Sequence, residues 1–275
     1  MAYSAPTRKA LGIESDRITK YPRGFRPDQK KLAEAIQLDQ NIRDRFRQAL
    51  VVSNFDDVDG TIYTGAAAEV LSLNSGEAIY EVYQSAVASA AVIAPYRSGD
   101  GLELKPVAAA DALELTNGTD SLSRTAYTVG SLLDGKKLMF SVKLKIDDIS
   151  DVTEIFMGWR KAEAYQVDPD DYDEMASFNI GKDADGQIEI HTILNNAATA
   201  EVDTTLTDWA DAGEHTLRIE VDNLGYCKFL YDGAAPTVST TFKFDAGEVI
   251  VPFLYMNTET GDPGCSISQW DVGYM

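Results

Sequence analysis

Residues 213–233, GEHTLRIEVDNLGYCKFLYDG, predict a β-hairpin with one buried face. Apolar residues such as Leu217 and Ile219 alternate with polar neighbours, which is the period of a half-buried strand. The turn DNLG at 222–225 supplies residues that tolerate positive φ, and the chain returns through apolar residues of one parity to a closing Asp-Gly pair. The hairpin predicts a fold but no reaction, because none of its side chains is arranged as a reacting group.

Short apolar or alternating runs, separated by Gly, Asn and Asp, fill the chain from Val51 onward. The clearest single strand is 137–147, in which every second residue is apolar. A series of this kind, with no helix-length pattern inside it, favours an all-β sandwich or jelly roll. The alanine-rich residues 86–91 and 108–112 fit either close-packed strands or short helical turns. No fixed repeat is visible, which disfavours a solenoid or a propeller.

The charge is divided unevenly along the chain. The formal net charge is −20, yet residues 1–47 carry 11 Lys and Arg against 6 Asp and Glu, whereas the remainder carries 13 against 38. We therefore divide the chain into an N-terminal arm and helix for attachment, residues 1–50, and a β-sandwich, residues 51–275.

The arm and the helix together predict an attachment segment. Residues 1 to about 26 offer too little apolar surface to fold alone and are expected to become ordered on a partner. Pro27 begins an amphipathic helix that runs to about residue 49. The helix either packs on its own β-body or helps to grip a neighbouring subunit, and the sequence leaves both open. The basic residues expected to contact a capsid or another partner are Arg8, Lys9, Arg17, Lys20, Arg23, Arg26, Lys30 and Lys31.

The composition disfavours several classes of partner. An acidic body repels nucleic acid, anionic membranes and polyanionic substrates, so we expect no direct nucleic-acid binding and no membrane binding. No apolar run has the length of a membrane helix, and the N-terminus lacks the apolar core of a signal peptide. Two cysteines are too few for a disulfide scaffold in a chain of 275 residues.

Few residues are candidates for metal binding or catalysis. Residues 183–189, DADGQIE, open like a calcium loop but lack its final Glu, and a hairpin turn explains them as well. The acidic run 168–174 offers carboxylates to a hard cation and is more often a solvated loop. His191 and His215 are interpreted as surface or hydrogen-bonded structural residues rather than general bases. The sequence therefore predicts no catalytic residue, no metal and no cofactor.

Aromatic side chains are the candidate sugar-binding residues, because a flat apolar ring matches the CH face of a sugar. Trp159, Tyr172 and Trp209 are the three that we single out. Core packing explains Trp159 at least as well.

Four segments resemble concanavalin-A-like, laminin-G-like jelly-roll domains. Residues 215–233 resemble the paired strands in which H-T-L-R-I-E-V-D turns into F-x-x-D-G. Residues 251–254 and 266–272 resemble the closing strands, and residues 155–159 are similar to the strand that leads into the concave sheet. The resemblance spans roughly residues 125–275. It implies an all-β, concanavalin-A-like jelly-roll sandwich, here preceded by an extended basic arm and one N-terminal helix.

The family includes lectins, glycosidases and modules that ornament bacteriophage virions. The E-x-D-x-E strand motif of the glycosidases is absent, which implies a non-enzymatic protein. With the basic arm, the chain resembles a virion structural protein, a capsid decoration or cement protein that is made in the host cytoplasm and lies on the capsid surface. Its partners would be the major capsid protein or other virion subunits, and self-association into a ring or trimer would add avidity. The alternative is a carbohydrate-binding, lectin-like module for host-glycan or surface adhesion.

Overall fold

The computed structural model describes most of the chain from residue 126 onward, namely residues 126–130, 136–182, 186–258 and 264–275. Before residue 126 it describes strand segments at 51–53, 63–64, 70–75, 78–84, 92–97, 101–105 and 112–116. All of these belong to one of the two units into which the chain divides, Leu50–Met275. The predicted arm and helix, with all eight basic contact residues, and the alanine-rich residues 86–91 lie outside the described residues, so their roles stay predictions.

Seventeen strands form two sheets in the part of the chain that the structure describes. In chain order they are β1 (Val51–Ser53), β2 (Tyr63–Thr64), β3 (Val70–Ser75), β4 (Ala78–Gln84), β5 (Val92–Arg97), β6 (Gly101–Lys105), β7 (Ala112–Thr116), β8 (Tyr127–Thr128), β9 (Leu138–Ile146), β10 (Val152–Lys161), β11 (Met175–Lys182), β12 (Gln187–Ile193), β13 (Ala200–Asp203), β14 (Gly213–Val221), β15 (Cys227–Tyr231), β16 (Val249–Thr258) and β17 (Cys265–Tyr274). Short 3-10 turns at Ile149–Asp151 and Pro169–Asp171 are the helical elements of this part.

The chain passes repeatedly from one sheet to the other, so neighbouring strands are often far apart in sequence. The eight-stranded sheet has the order β15-β14-β9-β17-β6-β5-β2, with β1 also paired to β17. The nine-stranded sheet has the order β13-β12-β11-β10-β16-β7-β4-β3, with β8 also paired to β16. Neighbouring strands run antiparallel, as in the pairs β9 with β14 and β10 with β16. The fold is a two-sheet antiparallel β-sandwich, consistent with the predicted jelly roll. Among the described residues, no helix has the length and hydropathy of a membrane span.

The core lies between the sheets. The predicted strand 137–147 is β9, and its alternation is confirmed because one side of it is completely buried. Trp159 on β10 donates from Nε1 to the carbonyl oxygen of Ile219 on β14 at 3.3 Å. Phe178 and Phe229, one from each sheet, meet edge to face with ring centroids 5.5 Å apart. These contacts fix how the two sheets face each other.

The predicted hairpin is confirmed as the pair β14 and β15. Asp222 closes its turn, because its Oδ1 accepts from the backbone N–H groups of Leu224 at 2.8 Å and Tyr226 at 3.0 Å. On the returning strand Phe229 is buried, and Cys227 packs against the core. The side chains that the sequence predicted to face inward are therefore the ones that face the core.

Gly225 provides a test of this turn. Its φ is +92°, and a Cβ placed there would lie 2.5 Å from the carbonyl oxygen of Phe244. We expect Gly225→Ala to lower the free energy of unfolding by about 2 to 3 kcal/mol, from backbone strain and the clash together. Gly233→Ala is the control, because that position has φ +81° but open space around the added methyl, so about 1 to 2 kcal/mol is expected. Urea denaturation measures the free energy of unfolding of both variants. Equal losses of stability would contradict the close approach between residue 225 and the Phe244 carbonyl.

Asp232 ties the end of the hairpin to β14. Its Oδ1 accepts from the backbone N–H of Thr216 at 2.8 Å, and its Oδ2 lies 2.8 Å from Nδ1 of His215. Partial burial alone would raise the pKa of Asp232, but these hydrogen bonds and the charge of His215 when protonated outweigh burial, and the pKa is lowered. The ionised carboxylate therefore stabilises the fold at neutral pH.

A lowered folded-state pKa makes that stabilisation depend on pH in a known direction. It is fully present above the pKa of an unfolded Asp, about 4, and is lost as the pH falls through the lower folded value. We expect Asp232→Asn to reduce the free energy of unfolding by less than about 1 kcal/mol at pH 7, because the site is largely exposed. Denaturation at several pH values should show this difference shrinking below pH 4. A difference that stays constant would contradict the assignment.

Candidate functional site

The outer face of the nine-stranded sheet, turned away from the eight-stranded sheet, carries an unusual set of polar side chains. On β12, Ile188 and Ile190 enter the core, so Glu189 and His191 point to the outer face. The register places Glu189 opposite Asn179 on β11 and His191 opposite Ser177. Side chains that are distant in sequence therefore meet on this face.

The middle of the outer face holds a buried ion pair. Arg160 on β10 and Glu114 on β7 have no exposed side-chain surface, and Nη2 of Arg160 lies 2.6 Å from Oε1 of Glu114. The opposite edge of the guanidinium donates to the carbonyl oxygens of Lys161 at 3.0 Å and Glu163 at 3.3 Å. Burial alone would lower the pKa of Arg160, but the Glu114 carboxylate outweighs it and the pKa is raised. The guanidinium is therefore charged, and both of its edges meet acceptors within the protein.

The loop between β10 and β11 lies over this ion pair. Tyr172 donates from its hydroxyl to Oε2 of Glu114 at 2.6 Å, and its ring lies 4.5 Å from the guanidinium carbon of Arg160. Burial and the Glu114 charge raise the pKa of Tyr172, which keeps the phenol protonated as a donor. Farther along the sheet, the Tyr255 hydroxyl donates to the carbonyl oxygen of Val167 at 3.1 Å. These bonds hold the loop on the sheet.

The three predicted sugar-stacking residues need correction, because all three are buried. Trp159 lies in the core between the sheets, and Tyr172 is used against Glu114 and Arg160. Trp209 donates from Nε1 to the carbonyl oxygen of Gly213 at 3.2 Å and packs edge to face on His215. None of the three offers a free ring face to a saccharide, because all three rings are buried within the protein. Burial of a large aromatic ring contributes strongly to the stability of the fold.

A second polar group, the His191 cluster, lies toward the β13 edge of the outer face. It consists of Asn179 on β11, Glu189 and His191 on β12, and Glu201 on β13. Nε2 of His191 lies 2.8 Å from Oε2 of Glu189 and 3.3 Å from Nδ2 of Asn179. The ring also packs edge to face on Phe156, with centroids 5.3 Å apart. The hydrogen-bonded histidine predicted from the sequence is found here, in a buried rather than a surface setting.

The remaining end of the outer face, the open end, is less covered. Gln187 begins β12 there, and Glu154 on β10 is paired in register with Asn257 on β16. All three residues are half-buried. Oδ1 of Asn257 is buried and has no hydrogen-bond partner among the described residues. Phe156 and Tyr255 pack against each other beside this end, with ring centroids 6.0 Å apart.

The structure describes only one of the two calcium-binding segments considered from the sequence in full. Residues 183–185 of the first lie outside the described residues, and Gly186 enters β12 from a turn. In the acidic run, Asp168 caps a 3-10 turn by accepting from the Asp170 N–H at 3.0 Å. Asp170 also accepts from the Thr199 hydroxyl at 2.8 Å. The run lies in the predicted loop, and its carboxylates bond protein groups both within the loop and beyond it.

Sequence reasoning missed most of the polar residues on the outer face. The parity of QIEIH placed Glu189 and His191 away from the apolar side of their strand, and this was the available signal. Nothing in the sequence paired them with Asn179 or joined Arg160 to Glu114, because those contacts depend on strand register.

Comparisons with known proteins find solved structures of low sequence identity. No family model and no curated protein matches the sequence. The Emp47p carbohydrate recognition domain is 10% identical to this chain, with 82% of this chain and 94% of that domain covered and a TM-score of 0.48. A β-glucanase from Bacillus licheniformis is 12% identical (82% and 96% covered, TM-score 0.42), and the alginate lyase AlyC3 is 10% identical (86% and 91%, TM-score 0.44). At these identities the likeness concerns the fold alone.

The similar structures include a carbohydrate recognition domain and a β-glucanase, and the two-sheet antiparallel sandwich of this chain is itself consistent with the jelly roll that the resemblance implied. None of the three is a virion protein, and nothing supports a bacteriophage origin. The capsid role stays a prediction from the basic arm.

The prediction of a non-enzymatic protein is wrong as an exclusion. Besides the β-glucanase and the alginate lyase, similar structures include a glycosyl hydrolase family protein from Mycobacterium fortuitum and endo-acting O-glycanases. The prediction depended on one missing strand motif. The absence of one motif does not exclude catalysis by other residues.

The ion pair under the loop can be tested by removing one partner. Arg160→Met leaves the Glu114 carboxylate buried without its cation, and we expect it to cost about 3 to 5 kcal/mol of folding free energy. The control is Lys143→Met, which breaks the exposed Lys143–Glu214 pair and should cost less than about 1 kcal/mol. Urea denaturation compares the two variants. Similar small losses in both would contradict a buried, mutually dependent pair.

Proposed function

We propose that this chain is a carbohydrate-binding domain whose binding surface is the open end of the outer face. The observation that carries the proposal is the buried, unpartnered amide oxygen of Asn257, at the same end of the sheet as the half-buried Glu154 and Gln187. A buried polar atom without a partner costs about 1 to 3 kcal/mol, so its retention favours a ligand that completes its hydrogen bonds.

Saccharide hydroxyls are chemically suited to this surface. Each hydroxyl donates one hydrogen bond and accepts others, as do amide side chains, whereas a carboxylate only accepts. Asn257 and Gln187 therefore supply both donors and acceptors, and Glu154 supplies acceptors.

Charge narrows the class of saccharide. The residues after the arm carry 13 Lys and Arg against 38 Asp and Glu, and Glu154 lies within the proposed surface. A uronic-acid or sulfated polymer would be repelled by this potential. The proposed ligand is therefore a neutral glycan.

A glycan array of neutral, sialylated, uronate and sulfated saccharides, probed with the full chain, tests the function. We expect saturable binding to neutral glycans, and an affinity loss of at least about tenfold in Asn257→Ala and in Gln187→Ala, because each removes an amide that bonds the sugar. The control is Gln269→Ala, an exposed amide on the eight-stranded sheet that bonds Asp271 at 2.6 Å. Its binding should be unchanged.

Two results would contradict the proposal. One is the absence of binding to every glycan by a protein with a native circular dichroism spectrum. The other is binding that survives the double variant Asn257→Ala, Gln187→Ala, since the saccharide would then lie elsewhere on the chain.

A further inference from the structure

The His191 cluster differs in chemistry from the open end, because it gathers the side chains that metal ions prefer. Glu189 and His191 are two residues apart on β12, and Glu201 faces His191 from β13 in the ladder register. One ligand atom from each of the three lies within 4.8 Å of the other two. An imidazole and two carboxylates thus converge on one small volume.

Burial makes this convergence costly without a compensating charge. The exposed fractions of Glu189 and His191 are 7% and 3%. Ionised carboxylates at such positions are found paired, hydrogen-bonded or coordinated to a metal. Glu201 is exposed, so the cluster reaches solvent on one side and an ion has a path to it.

Asn179 is an independent indication that the cluster binds a ligand. It is only 2% exposed, and its amide is directed at the cluster, with Nδ2 3.3 Å from Nε2 of His191. Its Oδ1 is buried and has no hydrogen-bond partner among the described residues. The two ends of an amide are assigned from their surroundings, so a rotation of the amide presents this oxygen to the cluster.

With the Asn179 amide oriented as it is, no single protonation state of His191 Nε2 satisfies both of its neighbours. A protonated Nε2 donates to Glu189 and cannot accept from the Asn179 amide, whereas an unprotonated Nε2 repels the Glu189 carboxylate at 2.8 Å. A cation in place of the proton satisfies Nε2, the carboxylate and the rotated amide oxygen together.

We infer that Glu189, His191 and Glu201, with Asn179 completing the set, bind one first-row divalent transition-metal ion, for which Zn²⁺ is the probe. One imidazole nitrogen with carboxylate and amide oxygens suits Zn²⁺ and its neighbours. Ca²⁺ prefers six to eight oxygen ligands and is not expected here. The ion would join β13, the edge strand, to β12. The inference does not depend on carbohydrate binding, since it uses none of the open-end residues.

The full chain, freed of metal with EDTA and dialysed, is titrated with Zn²⁺ by calorimetry. One Zn²⁺ per chain is expected, with a rise in Tm because the ion binds only the folded state. X-ray absorption should report one imidazole nitrogen and oxygens at about 2.0 to 2.2 Å. Ca²⁺ at the same concentration should give neither stoichiometric binding nor the rise in Tm.

Variants locate the ion. His191→Ala and Glu201→Gln should each weaken Zn²⁺ binding by at least about 10- to 100-fold, by loss of a ligand. Glu201 is exposed, so that variant is expected to fold even where the buried substitution does not, and circular dichroism checks both. His215→Ala removes the other histidine of the chain, outside the cluster, and should leave Zn²⁺ binding unchanged.

Three results would overturn the inference: no stoichiometric Zn²⁺ binding by the folded chain, binding that survives Glu201→Gln, or binding that His215→Ala abolishes. Glycan binding by the same preparations reports separately on the open end.

Discussion

Arg160 and Glu114 face each other on either side of β16, both without exposed side-chain surface, and the use of the outer face depends on their pairing. A single charge of either sign at that depth would favour hydration over burial. Because the guanidinium meets the carboxylate, two backbone carbonyls and the ring of Tyr172, the loop between β10 and β11 can rest on the sheet. The loop covers the middle of the outer face, so a ligand would approach this face at its open end.

The two polar groups on this face balance their charges differently. At Arg160, donors and acceptors match within the protein: one guanidinium edge meets Glu114, the other meets carbonyl oxygens, and the second oxygen of Glu114 takes the Tyr172 hydroxyl. In the His191 cluster one ring nitrogen lies within hydrogen-bond distance of both Glu189 and Asn179, and the amide oxygen of Asn179 has no donor among the described residues. The first arrangement is typical of a structural pair, and the second is the one that we infer to bind a cation.

The fate of the aromatic residues follows from packing. Trp159 and Phe178 fill the space between the sheets, where they contact the opposite sheet through Ile219 and Phe229. Tyr172 and Tyr255 leave the core but use their hydroxyls to hold the loop. Ring area that stabilises the sandwich or the loop is not available to a saccharide, so polar side chains rather than tryptophans define the proposed carbohydrate surface.

The sequence by itself determined the strands and the direction of their side chains. The alternation in β9, the hairpin of β14 and β15, and the outward parity of Glu189 and His191 could all be read from it, because a period of two is a local property of the extended backbone. Which outward side chains meet was decided by the tertiary structure alone. Asn179 reaches His191, and Glu114 reaches Arg160, through the register of paired strands, and register is set by the joint burial of segments far apart in the chain.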